Sequence, residues 1–236
     1  GLAETWRMGI TEKDWGKALR VNALILAAGV VGVLPRYVHL AETKEYAEQT
    51  IRGERLLSQT EEDSDSGLDR EYILEYSMAE GEWWSIMCPD IKGGNSPLYW
   101  GEQKFSGGAF YFGAILVALF FMFLVAGRDR MRWPLLAVTV LAILLSRREA
   151  GVLMDFFLDY MPAFNKFRDT KMMLVLVLLT VSMGAALGLK ELIAAAQASV
   201  DAKRRWWWMG SALGLVGLFG GFYVVPEVFF DFQSSI

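Results

Sequence analysis

The apolar residues of this chain are concentrated in long blocks, not dispersed at the spacing of an amphipathic helix or strand. Three blocks contain no charged residue: Gly107–Gly127 and Trp206–Pro226 have 21 residues each, and Met172–Leu189 has 18. A helix needs roughly 20 apolar residues to cross the hydrocarbon core of a bilayer. These three blocks are therefore predicted to be transmembrane helices.

Two shorter blocks, Val21–Pro35 and Trp133–Ser146, each have a single polar residue in their interior, Asn22 and Thr139, and are flanked by arginine. Each is predicted to be a short span whose arginines snorkel to the interface. Each would also fit a helix buried among the others. The fold class predicted is all-α: a polytopic transmembrane bundle of about five spans with a mixed extracytoplasmic loop region.

The same pattern divides the chain into three sections. Residues 1–41 are predicted to be a cytoplasmic segment and first span, 42–106 an acidic extracytoplasmic loop region, and 107–236 four further spans with their loops. The first apolar block is not a signal peptide, because Leu34-Pro35-Arg36 lacks a small-residue cleavage pattern. Since the chain opens Gly-Leu-Ala-Glu without an initiator Met, we expect it to be a piece of a longer membrane protein.

Loop charges predict the orientation. From Glu42 to Lys104 there are fifteen acidic and six basic residues, a net charge of −9, whereas Arg128–Arg132 and Lys190–Arg205 carry three and four basic residues. Basic loops favour the cytoplasmic side, so the N-terminus is predicted to be cytoplasmic and the C-terminus extracytoplasmic. The five basic residues of Arg147–Lys171 argue against this orientation, because it places them outside.

Composition agrees with a membrane protein: 54% of residues are hydrophobic and the mean hydropathy is +0.30. A soluble helical protein is excluded by the uncharged blocks of 21 residues. Several glycines are spaced four apart, which lets helix backbones approach closely, and we interpret them as packing surfaces. These pairs are Gly184 and Gly188, Gly210 and Gly214, and Gly217 and Gly221.

Several classes of site have no support. Cys88 is the only cysteine and His39 the only histidine, so neither a metal-ligand spacing nor an intramolecular disulfide is present. Gly93-Gly94 does not form a phosphate-binding loop of a known kind. No basic footprint supports a nucleic-acid partner. The partner expected is the lipid bilayer, and no cofactor is indicated.

The acidic region shows local order. Tyr46–Leu57 and Gly67–Trp84 have apolar residues at helix-like spacing, and Ser85–Asn95 contains turn residues. Aromatic side chains beside carboxylates are typical of carbohydrate sites, but amphipathic aromatics also lie at any membrane surface. Both interpretations remain open.

The segment MPAFNKFRDTK, Met161–Lys171, lies between two apolar stretches. A compact set of basic, amide and aromatic residues at a membrane surface favours a site for anionic or polar groups. Basic residues that flank a span also serve simply as anchors, so Asn165, Lys166 and Arg168 have both interpretations.

Four segments, TIRGERLL, GLDREYILEYSMAEGE, PDIKGGNS and PAFNKFRDTKMMLVLV, resemble, in this order, the YfhO-type bacterial membrane proteins of Bacteroidetes-like sequence. The resemblance runs from about Lys17 to about Leu189. That family is similar to GT-C glycosyltransferases, whose extracytoplasmic loops receive a sugar from a polyprenyl-phosphate carrier. Its relatives more often have a small residue, Pro and Ser where this chain has Asp169-Thr170-Lys171.

The resemblance implies a glycosyltransferase acting on cell-envelope glycopolymers in the bacterial cytoplasmic membrane. Arg168 would grip the donor phosphate and Lys166 would add charge, with Asn165 beside them. The usual catalytic acid of such enzymes has no matching position, so the catalytic residue is unknown. A carboxylate of the acidic region would act as base; the candidates are Asp69, Glu75, Glu82 and Asp90.

The alternative function is a non-catalytic membrane scaffold or transport component for envelope precursors. A transporter is expected to place ionisable residues within its spans, and the three long blocks contain none. This absence weakens transport but not scaffolding.

Overall fold

The computed structural model describes residues 10, 14–48, 68, 70–79, 81–94, 97–103, 110–148, 151–161, 164–167, 169–197 and 202–229. Of residues 47, 48, 202–204 and 229 it describes the backbone only. Helix makes up 78% of the structure, and the described residues include no strand. The predicted all-α fold class is therefore confirmed.

The chain divides into two units, residues 1–67 and 68–236. In the first unit, α1 (Trp15–Val33) continues through a 3-10 turn (Leu34–Arg36) into α2 (Tyr37–Glu48). Asp14 begins α1 as its N-cap, with a carboxylate oxygen that accepts the Lys17 N–H at 3.0 Å. Most of the predicted helix Tyr46–Leu57 lies outside the described residues.

The second unit contains a short helix α3 (Arg70–Leu74), a 3-10 turn (Glu82–Ile86), and then longer helices. These are α4 (Ala114–Ala126), α5 (Arg132–Ser146), α6 (Gly151–Tyr160), α7 (Leu174–Gln197), α8 (Ala202–Val224) and the short α9 (Pro226–Phe229). Two 3-10 turns, Phe164–Lys166 and Thr170–Met173, connect α6 to α7.

Helices α4, α5, α7 and α8 form the bundle of the second unit. Helix α4 packs against α7 and α8, and α5 packs against α7. Phe123 and Val177 are completely buried at the centre of the shared core. The Thr139 and Thr180 hydroxyls form a hydrogen bond of 2.7 Å between α5 and α7, a polar contact that suits an apolar bundle.

The predicted glycine packing surfaces on α7 and α8 have different surroundings in the structure. A Cβ at Gly188 would lie 2.7 Å from the Leu119 carbonyl oxygen, so Gly188 is what allows α4 and α7 to approach. Gly210, Gly214 and Gly217 have no such neighbour: a Cβ there would meet nothing within 4 Å. The packing interpretation therefore holds for the Gly184–Gly188 pair and finds no support at Gly210, Gly214 and Gly217.

Three described helical segments are long and apolar enough to cross a membrane: Trp15–Tyr46, Thr170–Gln197 and Arg205–Val224. Helices α4 and α5 are apolar but shorter, with 13 and 15 residues. Helix α4 begins only after Gly113, whose φ of 103° is incompatible with a helix, so the uncharged block forms a shorter helix than its length predicts. A bundle of about five spans remains a prediction.

The bundle has two different ends. We call the end near Gly113, Ser146 and Lys171 the polar end, because Met78, Ile86 and Phe112, from the stretch between α3 and α4, pack there. The other is the turn end, where residues 127–131 connect α4 to α5. At the turn end, the Glu191 carboxylate of α7 accepts the N–H groups of Arg128, at 2.9 Å, and Asp129, at 3.0 Å.

Candidate functional site

A small second core builds the outer part of the polar end. It joins α3 to α6, with Ile73 and Leu74 packed against Met154 and Leu158. Phe164 and Leu68 complete this core at its border, and the Leu68 N–H donates to the Asn165 carbonyl at 3.0 Å. The helix-like spacing of apolar residues in Gly67–Trp84 thus yields an α-helix of only five residues, followed by the 3-10 turn Glu82–Ile86.

Backbone hydrogen bonds attach this layer to the bundle where α5 ends. The Met78 N–H donates to the Ser146 carbonyl, and the Arg148 N–H donates to the Met78 carbonyl, both at 2.9 Å. The buried hydroxyls of Ser77 and Thr170 are 2.6 Å apart and join the same layer to the entry of α7. Residues that are distant in sequence therefore converge around the ends of α5 and α7.

An open cleft of about 660 Å³ lies beside α3 at the polar end. This volume is within the range of roughly 300–1,000 Å³ that small-molecule sites occupy. Its lining is strongly charged, with two arginines and three glutamates among seven residues: Arg70, Glu71, Leu74, Glu75, Glu102, Arg148 and Gly151. We call it the charged cleft.

Arg148 is the most firmly held side chain of the charged cleft. Its guanidinium donates to the carbonyls of Leu74, at 3.3 Å, and Glu75, at 3.1 Å, at the end of α3. A third bond of 3.1 Å runs from Nη1 to the Glu102 carboxylate. These three hydrogen bonds restrict the orientation of the Arg148 guanidinium in the charged cleft.

Arg70, at the other side of α3, pairs with Asp155 of α6. Its Nε lies 2.8 Å from a carboxylate oxygen, and both side chains are about half exposed, at 52% and 47%. Solvent screening makes such a pair worth at most about 1 kcal/mol. Its main effect is to orient Arg70 at the edge of the cleft.

A buried polar network lies behind the cleft and contains Glu82, Tyr99, Gln103 and Lys171. We call it the Glu82 network. Glu82, only 5% exposed, accepts the Ala79 N–H at 2.9 Å, the Tyr99 hydroxyl and the Gln103 side-chain amide. The Gln103 amide oxygen in turn accepts from Lys171 Nζ at 2.7 Å. Carboxylate and ammonium are thus linked through one amide.

The Tyr99 hydroxyl has a second role, because it accepts the Gln103 N–H at 3.1 Å and closes the loop 99–103 on itself. Gly101 is required within this loop, since a Cβ would collide with the Tyr99 ring and the Glu82 carboxylate. Burial, followed by the hydrogen bond to Glu82, raises the pKa of Tyr99 well above its ordinary value. The hydroxyl therefore stays protonated and can donate to Glu82.

The predicted carboxylates separate into different environments. Glu75 lines the charged cleft, while Glu82 is enclosed in its network and lines a small cavity of about 10 Å³. Asp90 has a left-handed φ of 56°, and its backbone carbonyl accepts the Gly93 N–H to close a turn. It does not line the charged cleft. Asp69 lies outside the described residues.

The predicted phosphate-binding residues are only partly described. Asn165 and Lys166 are partly buried in the 3-10 turn that packs beside α3. Asn165 contributes its backbone carbonyl to Leu68, as noted above. Arg168 lies outside the described residues, so its relation to the charged cleft is a prediction.

Sequence reasoning missed seven polar residues of these two arrangements: Arg70, Glu71, Tyr99, Glu102, Gln103, Arg148 and Lys171. Arg148 and Lys171 each adjoin an apolar block, which is also the pattern of a simple membrane anchor. Only their contacts distinguish them. For Glu102 and Gln103 the signal available was their position beside Gly101, at the end of a turn-rich stretch.

The two residues with distinctive chemistry have ordinary surroundings. Burial raises the pKa of the Cys88 thiol, which makes it a poor nucleophile at neutral pH. His39 Nδ1 lies 3.8 Å from the Glu42 carboxylate on the exposed surface of α2. Among the described residues, no group of three His, Cys, Asp or Glu side chains is placed to hold a metal ion.

Comparisons with known proteins add no identification. The chain matches no family model. Neither the curated proteins nor the solved structures give a significant match. The resemblance to YfhO-type proteins therefore rests on the sequence segments alone.

Proposed function

We propose that this chain is an integral part of a glycosyltransferase that uses a polyprenyl-phosphate sugar and acts on cell-envelope glycopolymers. Its place would be the bacterial cytoplasmic membrane. The observation that carries the proposal is the charged cleft, which lies directly beyond the ends of apolar helices. A lipid-linked donor needs this arrangement, because its chain stays in the bilayer while its phosphate and sugar lie at the surface.

The arginines of the cleft supply the phosphate contacts in this proposal. Arg148 follows the end of the apolar helix α5 by two residues, which would bring it near the membrane surface if α5 spans, and its guanidinium can donate paired N–H bonds to phosphate oxygens. Lys166 adds positive charge from the neighbouring turn. Arg168 keeps the role that the resemblance implies, as a further phosphate ligand.

Glu75 is the best candidate for the base, because it is the one described member of the predicted carboxylates that lines the cleft. The acceptor hydroxyl oxygen attacks the anomeric carbon of the donor sugar, and its proton passes to the Glu75 carboxylate. The bond between the anomeric carbon and the phosphate oxygen breaks. The polyprenyl phosphate leaves with the electron pair, and the arginine charge stabilises it.

A non-catalytic scaffold is the second candidate, and one observation favours it. The arginines of the cleft are already paired with carboxylates, Arg148 with Glu102 and Arg70 with Asp155. A site whose charges neutralise one another binds an added phosphate less strongly than a site with free cations.

The test compares Glu75→Gln with Asp90→Asn in the full-length protein, reconstituted with a polyprenyl-phosphate sugar and an envelope acceptor. Loss of a general base lowers kcat by about 10²–10⁴-fold, whereas Asp90→Asn outside the cleft is expected to be near wild type. Full activity of Glu75→Gln at normal protein levels would reject Glu75 as the base. No transfer by the wild-type protein, together with retained binding of the lipid-linked precursor, would favour the scaffold.

Arg168→Ala tests the phosphate grip separately. A raised donor KM is expected, with the protein present at normal levels. Unchanged transfer by this variant would remove Arg168 from the proposal without affecting the role of the charged cleft.

A further inference from the structure

Lys171 is a buried cation that the proposed chemistry does not use. Its side chain is 9% exposed, and it precedes the apolar helix α7 by two residues of a 3-10 turn. An ammonium group is costly to bury unless hydrogen bonds and opposite charge compensate it. Here the Gln103 amide oxygen at 2.7 Å and the Asp169 carboxylate at 4.0 Å provide that compensation.

The bonds from Lys171 lead to a loop that has little freedom of its own. Gln103 bridges Lys171 and Glu82, and the Tyr99 hydroxyl bonds both Glu82 and the Gln103 N–H. The Trp100 N–H is fixed independently by the Lys92 carbonyl at 3.0 Å. Both ends of the loop 99–103 are therefore held by hydrogen bonds, Trp100 to Lys92 and Gln103 to Glu82 and Lys171.

Glu102 is the residue of this loop that points the other way. It is exposed, lines the charged cleft and accepts from Arg148 at 3.1 Å, while its neighbour Gln103 is buried in the Glu82 network. Glu102 and Gln103 are joined by one peptide bond in this closed loop, so fixing the Gln103 side chain restricts the direction of the Glu102 side chain. The wall of the cleft is thereby connected to the entry of α7.

We infer that Lys171 is a positioning residue of the charged cleft: through Gln103 it holds the loop 99–103 so that Glu102 orients Arg148. In this inference the ammonium acts on the cleft through its hydrogen bond to Gln103. The effect on sugar transfer rests on the proposed function. The effect on loop geometry does not.

The first experiment measures amide hydrogen exchange of the loop 99–103 in the full-length protein in lipid. Lys171→Met and Gln103→Leu are expected to raise exchange at Gln103 by about tenfold or more, the scale of a lost hydrogen bond to a charged group. Lys190→Met removes an exposed lysine at the far end of α7 and is the matched control, with unchanged exchange expected. The turn 127–131 serves as an internal reference in every variant.

The second experiment asks whether Lys171 acts through Glu102. Lys171→Met and Glu102→Gln are each expected to raise the KM for the lipid-linked donor by about tenfold, and the double variant no further. Lys171→Arg, which keeps the charge, is expected to restore part of the loss. A purely structural lysine would instead lower the amount of folded protein and leave the KM unchanged.

Two outcomes overturn the inference. Unchanged exchange in the loop 99–103 of both Lys171→Met and Gln103→Leu would show that the lysine does not hold the loop. Additive effects of Lys171→Met and Glu102→Gln on the KM would show that it does not act through Glu102. If transfer itself fails, the exchange experiment still decides the inference, while the proposed function is rejected separately.

Discussion

At the scale of single residues, pairing explains how charge and polarity are tolerated beside an apolar bundle. Glu82 receives three hydrogen bonds, and the hydroxyls of Ser77 and Thr170 satisfy each other. A buried polar group without a partner costs roughly 1–3 kcal/mol, so each of these contacts removes a penalty larger than its own net gain. The polar end is therefore stable only as a connected set.

Tyr99→Phe tests one of these contacts through pH. Because the folded protein raises the Tyr99 pKa above its ordinary value of 10.0, this group stabilises the folded state at lower pH, and the contribution is lost as the pH rises beyond that value. As the pH is raised above 10, the free energy of unfolding is therefore expected to fall more for wild type than for Tyr99→Phe. The measurement is thermal unfolding of both proteins over that range. Equal losses would contradict the raised pKa.

Gly188→Ala tests the close approach of α4 and α7. An added Cβ would lie 2.7 Å from the Leu119 carbonyl and 2.9 Å from Phe123 Cβ, so the helices must separate. The free energy of unfolding is expected to fall by about 1–3 kcal/mol, the cost of overpacking. Gly210→Ala is the matched control, because nothing lies within 4 Å of its added Cβ. Equal stability of the two variants would contradict the packing account.

At the scale of elements, the sequence predicts the identity of the helices better than their lengths. Met172–Leu189 and Trp206–Pro226 correspond to α7 and α8 because uncharged runs of this length have one stable form in a bilayer. The block Gly107–Gly127 yields a helix of only 13 residues, because Gly113 adopts a φ that no helix contains. Hydropathy does not report backbone conformation, so this boundary could not be predicted from the apolar pattern.

The candidate site is less predictable than the helices. The sequence predicts Glu75 as a candidate base, and Glu75 lies in the charged cleft. It does not predict Arg148 or Glu102, which form an ion pair in the same cleft. Their pairing spans 46 residues and depends on how the loop 99–103 folds against α5. Charge patterns along the chain carry no information about such long-range contacts.

Glu191→Gln tests the connection between α4 and α5. The Glu191 carboxylate accepts two backbone N–H groups that would otherwise have no partner within the turn. Loss of its charge is expected to lower the stability by about 1 kcal/mol, because the site is partly exposed to solvent. Glu227→Gln on the short helix α9 provides a comparison that is expected to be neutral. The contrary result is an unfolding midpoint of Glu191→Gln identical to wild type.

At the scale of the whole molecule, the predicted orientation rests on the charges of the loops. The turn end carries Arg128 and Arg130 on exposed positions, as expected of a cytoplasmic loop. The polar end would then face outward, where a lipid-linked sugar is consumed.

This orientation is tested by thiol labelling of intact cells with a membrane-impermeant maleimide, in a Cys88→Ser background. Leu98→Cys at the polar end is expected to be labelled, since Leu98 is 73% exposed, and Arg130→Cys at the turn end is not. After the membrane is permeabilised, both are expected to react. Labelling of Arg130→Cys alone in intact cells would reverse the orientation.

The central claim is that the charged cleft transfers a sugar from a polyprenyl-phosphate donor, and sugar transfer by the reconstituted full-length protein tests it most directly. Wild type and Asp90→Asn are predicted to glycosylate the acceptor, while Glu75→Gln is predicted to bind the donor but lose about 10²-fold or more in kcat. Absence of transfer by a folded wild-type protein, across the polyprenyl-phosphate sugars supplied, would contradict the claim.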